Sequence, residues 1–493
     1  MLSAAIATLL AAVATPQPTQ GAEGFSPPGL YKPEVYHLEN GLQVVLAPRE
    51  GAPSVAIRAV VGLGTKHFAC PKEETPHFLE HLLFTGTSQH SEEELDLLIS
   101  SHGGSWNAST GNWETIFEID IFSGHAALGI ETLHEIFTDT EISEQDVMIS
   151  REVLLREAGA PSLAARLLDR SGLFRSANAL AFERLMSPRI SVCVPAPLAT
   201  DVTHSEIEAA YQTYYVPANM SLVVVGDLEI ETMRSAIART FGSMPAAPLV
   251  KPPRGQLPAH PGAISLVGLG DQASVGIVFR TGGYLSEHHS GLWVLGTYLS
   301  KRLYQVLRVE RGLTYTPSVS YSPSTDVGLF WISAEVDSAN TDLARMLIDE
   351  EMDRIRDGDI DPLALERART GILLAYARGF ESNADVADYY VASLFELGAH
   401  GAFVDEEEML KSLTVEAILE AGRATFAPHE AVSLRDRRLF LEEVLAGSAV
   451  GGVLAAVYVP WRVVRRGSRG QRRREALSGS SGGDEEHRLP GAH

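Results

Sequence analysis

The stretch Thr75–Thr87, TPHFLEHLLFTGT, sets two histidines and a glutamate inside an otherwise apolar run. Thr75 suits an N-cap, Pro76 the first helical position, and Phe78, Leu79, Leu82, Leu83 and Phe84 the buried positions of a helix. His77 and His81 are then i and i+4. That spacing stacks both imidazoles on one face, one turn apart, with Glu80 beside them. Two neutral imidazoles aimed at one point suit zinc, and a neighbouring carboxylate suits a base acting on water. The order H-x-x-E-H is the inverse of the commoner zinc-protease motif. A site of this kind needs a third protein ligand and an open position for water.

Candidates for that ligand lie in SEQDVMISREVLLREAG, residues 143 to 159. Ser143 with Asp146 makes a capping box for a helix whose apolar positions include Val147, Met148, Val153, Leu154 and Leu155. Glu152 and Glu157 come late in that helix, and on the residues alone either one serves.

At 493 residues the chain holds two or more domains with substantial cores. Its net charge of −23 argues against nucleic acid as a partner. Two cysteines, Cys70 and Cys193, leave no cysteine zinc site and no disulfide framework, only a single disulfide if the chain is exported. A Pro-rich stretch, MPAAPLVKPPRGQLPAHPG from Met244, reads as a linker over 245–262 between domains of residues 30–244 and 263–435.

The halves repeat one plan. SVAIRAVVGLG from Ser54 and SVGIVFRTGG from Ser274 are alternating, β-rich segments that end in glycine. THSEIEAAYQTYYVPANMSLVVV from Thr203 and TVEAILEAGRATFAPHEAVSL from Thr414 each run from a helix start through a Pro-marked break into a strand. The expected fold class is α+β: two homologous domains, each a mainly antiparallel sheet with helices packed on it.

The ends suggest export. Residues 1–22 resemble a signal peptide, an apolar run followed by small residues, although no Lys or Arg precedes Lys32. From Val444 to Trp461 no side chain is charged, and RVVRRGSRGQRRR follows. These features predict a transmembrane helix over 439–461 and a basic cytoplasmic tail over 462–493, with the bulk of the chain outside, periplasmic or at the cell surface.

HFLEHLLFTGT, with the segments around it, resembles the pitrilysin and insulinase family of zinc peptidases, in its half-length, mitochondrial-processing-peptidase-like branch. The resemblance covers most of residues 32 to 435. The family's third ligand stands in a helix similar to SREVLLRE, 76 residues after the second histidine, which is the place of Glu157 and makes Glu152 the second choice. The resemblance implies one Zn2+ per chain on His77, His81 and Glu157, with Glu80 as general base. GGSWNASTGNWETIFEI from Gly103 resembles the edge strand whose Asn-Ala pair, here Asn107 and Ala108, holds substrate backbone by adding it as a strand. LRVERGLTY from Leu307 resembles the family's Arg and Tyr seven residues apart, which implies that Arg308 orients the peptide and Tyr315 stabilises the carbonyl oxygen.

Two positions depart from the family pattern. Ser150 stands where an acidic residue is usual, which removes a carboxylate behind the ligands, and CPKEETP before the zinc helix lacks a usual glycine. The expected function is therefore a zinc endopeptidase acting on unstructured peptides or extended protein segments. The resemblance also implies pairing, with itself or with a related chain, because family members enclose the peptide with four such domains. The first alternative is a catalytically inactive subunit, structural or peptide-binding, in a membrane complex; retention of the ligands and base speaks against it. The second, a membrane-tethered peptide receptor with structural zinc, lacks an evident fourth ligand.

Overall fold

The computed structural model describes residues 25–159, 180–181, 184–185, 199–250, 262–269, 272–427 and 431–439. Two sheets organise them. The first contains β1 (Glu34–His37), β2 (Gln43–Pro48), β3 (Ser54–Val61), β4 (Ser105–Thr110), β5 (Thr115–Phe122) and β6 (Met220–Gly226), in the order β1-β2-β6-β3-β5-β4. The second contains β7 (Gly262–Leu269), β8 (Gln272–Gly282), β9 (Ser318–Pro323), β10 (Val327–Asp337) and β11 (Ala431–Leu439), in the order β7-β11-β8-β10-β9. Strands β2-β6-β3-β5-β4 and β7-β11-β8-β10-β9 correspond one for one. In both, only the first pair is parallel, β2 with β6 and β7 with β11. The shared plan is thus a mixed α+β fold in two halves.

Helices between Thr75 and Arg239 include α1 (Thr75–Phe84), α2 (Glu92–Ser100), α3 (Ala126–Asp139), α4 (Glu144–Glu157), α5 (His204–Tyr214) and α6 (Ile230–Arg239). Those of the second half are α7 (His289–Leu303), α8 (Thr341–Asp357), α9 (Pro362–Arg378), α10 (Asn383–His400), α11 (Glu406–Ser412) and α12 (Val415–Thr425). The two closing segments match the sequence reading: Thr203 caps α5 and Thr414 caps α12, each ahead of the strand that completes its sheet.

On one face of the first sheet, Val55, Ile57, Ala59 and Val61 of β3 pack with Phe78, Leu79, Ile130 and Leu133 from α1 and α3. Its other face is covered by the second half. Val45, Ala56, Val223 and Val225 bury against Val386, Ala387 and Tyr390 of α10. The cover is reciprocal, since Ala181 and Leu185 pack on Ile264, Val278, Leu329 and Val432 of the second sheet. Burial on both faces explains why SVAIRAVV carries only one charged residue, and corrects the expectation of simple alternation. That residue is Arg58, 2% exposed, whose guanidinium donates to Asp120 of β5 and across the halves to Asp388 of α10, each at 2.8 Å.

Three expected boundaries shift. β7 begins at Gly262, the last position assigned to the linker, and β11 runs past Arg435 to Leu439, so the second half is longer than residues 263–435. Leu439 pairs with Leu269 in the sheet, which removes it from the expected transmembrane run. The rest of that run, the basic tail and the signal-like residues 1–22 lie outside the described residues. Among the described residues, no helix is long and apolar enough to cross a membrane.

Candidate metal centre

Helix α1 buries Phe78, Leu79, Leu82 and Leu83, which turns His77 and His81 to the opposite, half-exposed face. Their ring centroids lie 5.0 Å apart. The start of the helix differs from the sequence reading. A 3-10 turn, Lys72–Glu74, runs directly into it, so Glu74 is the N-cap and Thr75 is the first helical residue, its hydroxyl donating to the Lys72 carbonyl at 2.8 Å.

Helix α4 lies against α1 and delivers the third group. Ser143 caps it, accepting the Asp146 N–H at 3.1 Å. The reciprocal half of the expected capping box does not form. The short Asp146 side chain accepts the Ser143 hydroxyl instead of reaching the Ser143 backbone N–H. Glu157, the last residue of α4, places Oε2 3.5 Å from Nε2 of His77 and 3.5 Å from Nε2 of His81. Glu152 is turned to solvent, 68% exposed, and accepts from Arg156 at 3.2 Å. Of the two glutamates left open by the residues alone, the fold therefore brings only Glu157 to the histidines.

These three residues form the one group among the described residues with metal-ligand character, their ligand atoms all within 4.8 Å of one another. Tetrahedral zinc bonds of about 2.0–2.1 Å require ligand atoms roughly 3.4 Å apart, so the observed separations fit the ion. The electrostatics agree. Burial acts to lower the His77 pKa, but the Glu74 hydrogen bond and the charges of Glu80, Glu74 and Glu157 outweigh it and raise the pKa. A site that draws a proton onto its ligand in this way has the field that attracts a cation.

Glu80 stands beside the group without belonging to it. Its Oε2 accepts the hydroxyl of Thr110 at 2.5 Å. Thr110 ends β4, the outermost strand of the first sheet, in which Asn107 and Ala108 pair with Glu118 and Phe117 of β5. Asn107 is exposed and Ala108 packs partly against the core. One edge of β4 is thus bonded to β5 while, among the described residues, no strand pairs with the other.

Arg308 lies in a π-helical turn, Tyr304–Glu310, and its guanidinium stacks over the Tyr315 ring at 4.3 Å from the centroid. Tyr315 is 78% exposed. The structure joins these two residues to each other. It joins neither of them to the histidines by a hydrogen bond or ion pair among the described residues.

Residues 43–180 match the family described as Insulinase (Peptidase family M16), and residues 201–372 match its companion, the Peptidase M16 inactive domain. The chain belongs to peptidase family M16. M16 relatives include an uncharacterised zinc protease of Mycobacterium tuberculosis, 24% identical over 78% of this chain and 89% of its own length. Another, from Bacillus subtilis, is 22% identical over 81% of this chain and 97% of its own length. The M16 fold is also that of a protease from Helicobacter pylori, with a TM-score of 0.67 at 20% identity over 83% of this chain and 99% of that one. A peptidase M16 inactive domain from Pseudomonas fluorescens aligns with a TM-score of 0.70 at 13% identity, over 83% of this chain and 98% of that one.

Sequence reasoning missed two residues that stand beside this group, Thr110 against Glu80 and Glu74 against His77. Thr110 lies two residues past Ala108 on the edge strand, but its bond to Glu80 depends on how the end of β4 crosses α1. Glu74 stands three residues before His77, a helical spacing that marks a neighbour of the first histidine.

The assignment of Glu157 has a direct check. Glu157→Gln is expected to weaken zinc binding strongly and Glu152→Gln to leave it near wild type, in competition with a chelator. Equal effects of the two changes would remove Glu157 from the ligand set.

Proposed function

We propose that this chain is a zinc-dependent endopeptidase that hydrolyses unstructured peptides or extended protein segments. The observation that carries the reading is the convergence of His77 and His81 on Glu157, each Nε2 3.5 Å from its Oε2, with Glu80 beside them and bonded to the edge strand. His77, His81 and Glu157 hold the ion, which when bound acidifies water and polarises a peptide carbonyl. β4 receives the substrate backbone along its open edge, as an added strand past Asn107 and Ala108. An extended segment satisfies that geometry, and a folded one does not.

Thr110 at the end of the same strand holds the Glu80 carboxylate toward the place where the peptide arrives. Glu80 takes the proton of the attacking water and returns it to the leaving amine. Tyr315 donates its hydroxyl to the carbonyl oxygen as charge gathers there, and Arg308 orients the peptide. The match to an inactive domain concerns residues 201–372, whereas all three ligands and Glu80 lie in the other half. A metal assay paired with cleavage of an unstructured peptide tests the reading. A chain that binds zinc and cleaves nothing would favour the alternative, an inactive peptide-binding subunit of a membrane complex.

We also propose that the catalytic part works outside the cytoplasm, as a dimer or with a related chain, held to the membrane by its C-terminal segment. Cys70 is disulfide-bonded, which supports an oxidising compartment. Because β11 ends at Leu439, the informative truncation falls after that residue and not before it. Such a truncated chain is expected in the soluble fraction and the full chain in the membrane fraction. A truncated chain still in the membrane after signal cleavage would place the anchor elsewhere.

A further inference from the structure

The turn that leads into α1 carries three charged residues in a row, and they have different partners. Lys72 donates to Glu206 at 2.7 Å, and Glu73 pairs with Lys66 at 3.0 Å. Among the described residues Glu74 pairs with no lysine or arginine, and its one ion-pair partner is His77, with Oε2 3.1 Å from Nδ1. An acidic residue at this end of a helix ordinarily turns its carboxylate onto the free backbone N–H groups of the first turn. Glu74 does not; although it is the N-cap, its side chain makes no capping hydrogen bond.

We propose that Glu74 is a positioning residue of the metal centre, acting through His77. A neutral imidazole carries one proton, and a carboxylate at Nδ1 holds that proton there and leaves the Nε2 lone pair free. Nε2 is the atom that faces Glu157 at 3.5 Å. The same contact fixes the rotation of the ring and makes Nε2 a stronger donor, the ordinary effect of a carboxylate behind a metal-binding histidine. Glu74 thereby restores a carboxylate to the surroundings of a site whose α4 position 150 is a buried serine. The inference rests on the reading of His77, His81 and Glu157 as a zinc site.

The test measures zinc affinity of the full-length protein by competition with a chromophoric chelator, together with the melting temperature of the metal-free protein. Glu74→Gln keeps the size of the side chain and removes its charge. It is expected to weaken zinc binding by roughly 10–100-fold, with the metal-free melting temperature unchanged. Glu74→Ala is expected to lose at least as much, and Glu152→Gln, which removes an exposed charge elsewhere, to lose nothing. Wild-type affinity in Glu74→Gln would overturn the inference, as would an equal loss in Glu152→Gln, which would reduce the effect to net charge. A loss of affinity accompanied by a matching fall in the metal-free melting temperature would also overturn it, assigning Glu74 to the helix end. If the wild-type chain takes up no zinc, the metal site itself fails and the inference falls with it.

Discussion

Glu80→Gln is expected to lower peptide hydrolysis by about 10²-fold or more while zinc uptake stays at the wild-type level. The two effects separate because Glu80 lies outside the ligand group of His77, His81 and Glu157. Glutamine matches glutamate in size, and its carbonyl oxygen still accepts the Thr110 hydroxyl that holds the native carboxylate at 2.5 Å. The edge strand and zinc helix therefore keep their relation in the variant. What disappears is the ability to take a proton, since an amide is not a base near neutral pH. Cleavage of an unstructured peptide and chelator competition, run on the same preparation, report the two quantities. Near-wild-type turnover would remove Glu80 from the chemistry, and loss of zinc would make it a ligand.

The parts of this site that were legible from sequence are the parts set by local periodicity. His77, Glu80 and His81 fall within little more than one turn of a single helix, so their relation follows from 3.6 residues per turn once the helix is granted. Glu157 required more. Within α4 it is chemically equivalent to Glu152, and only the packing of α4 on α1 turns one toward the histidines and the other to solvent. The family resemblance selected Glu157 in advance because it encodes that packing as a spacing.

The exchange of cover between the halves left no such trace. SVAIRAVV reads as a simple alternation, which anticipates neither an apolar outer face nor the buried Arg58. The partner of Arg58, Asp388, is 330 residues away, and no periodicity links them. Thr110 and Glu74 were hidden for opposite reasons. Thr110 depends on where a strand ends relative to a helix. Glu74 depends on a 3-10 turn running unbroken into α1, where Thr75 had suggested a cap.

Mixing two inactive dimers is expected to restore hydrolysis. The chain supplies two domains of the four that enclose a peptide in the enzymes it resembles, so the simplest complete assembly is a pair of identical chains. In that arrangement the second half of one chain is expected to face the zinc domain of its partner, with Tyr315 serving the partner's metal. Its 78% exposure and its stacking on Arg308 support the idea of a side chain presented for contact with another surface. Tyr315→Phe removes one donor to the developing oxyanion and is expected to cost roughly 10²–10³ in kcat. Glu80→Gln homodimers are expected to be inactive for want of a base. After the two are dissociated and re-paired, each mixed dimer contains one site with both Glu80 and Tyr315 and one site with neither. Half of the dimers are mixed, and activity returns to about a quarter of the wild-type level per chain. If Tyr315 acted within its own chain, each site of a mixed dimer would lack one residue and mixing would restore nothing. Absence of recovery, once native mass measurement had shown the mixed dimer, would reject action across the interface, and a fully active monomer would reject the pairing itself.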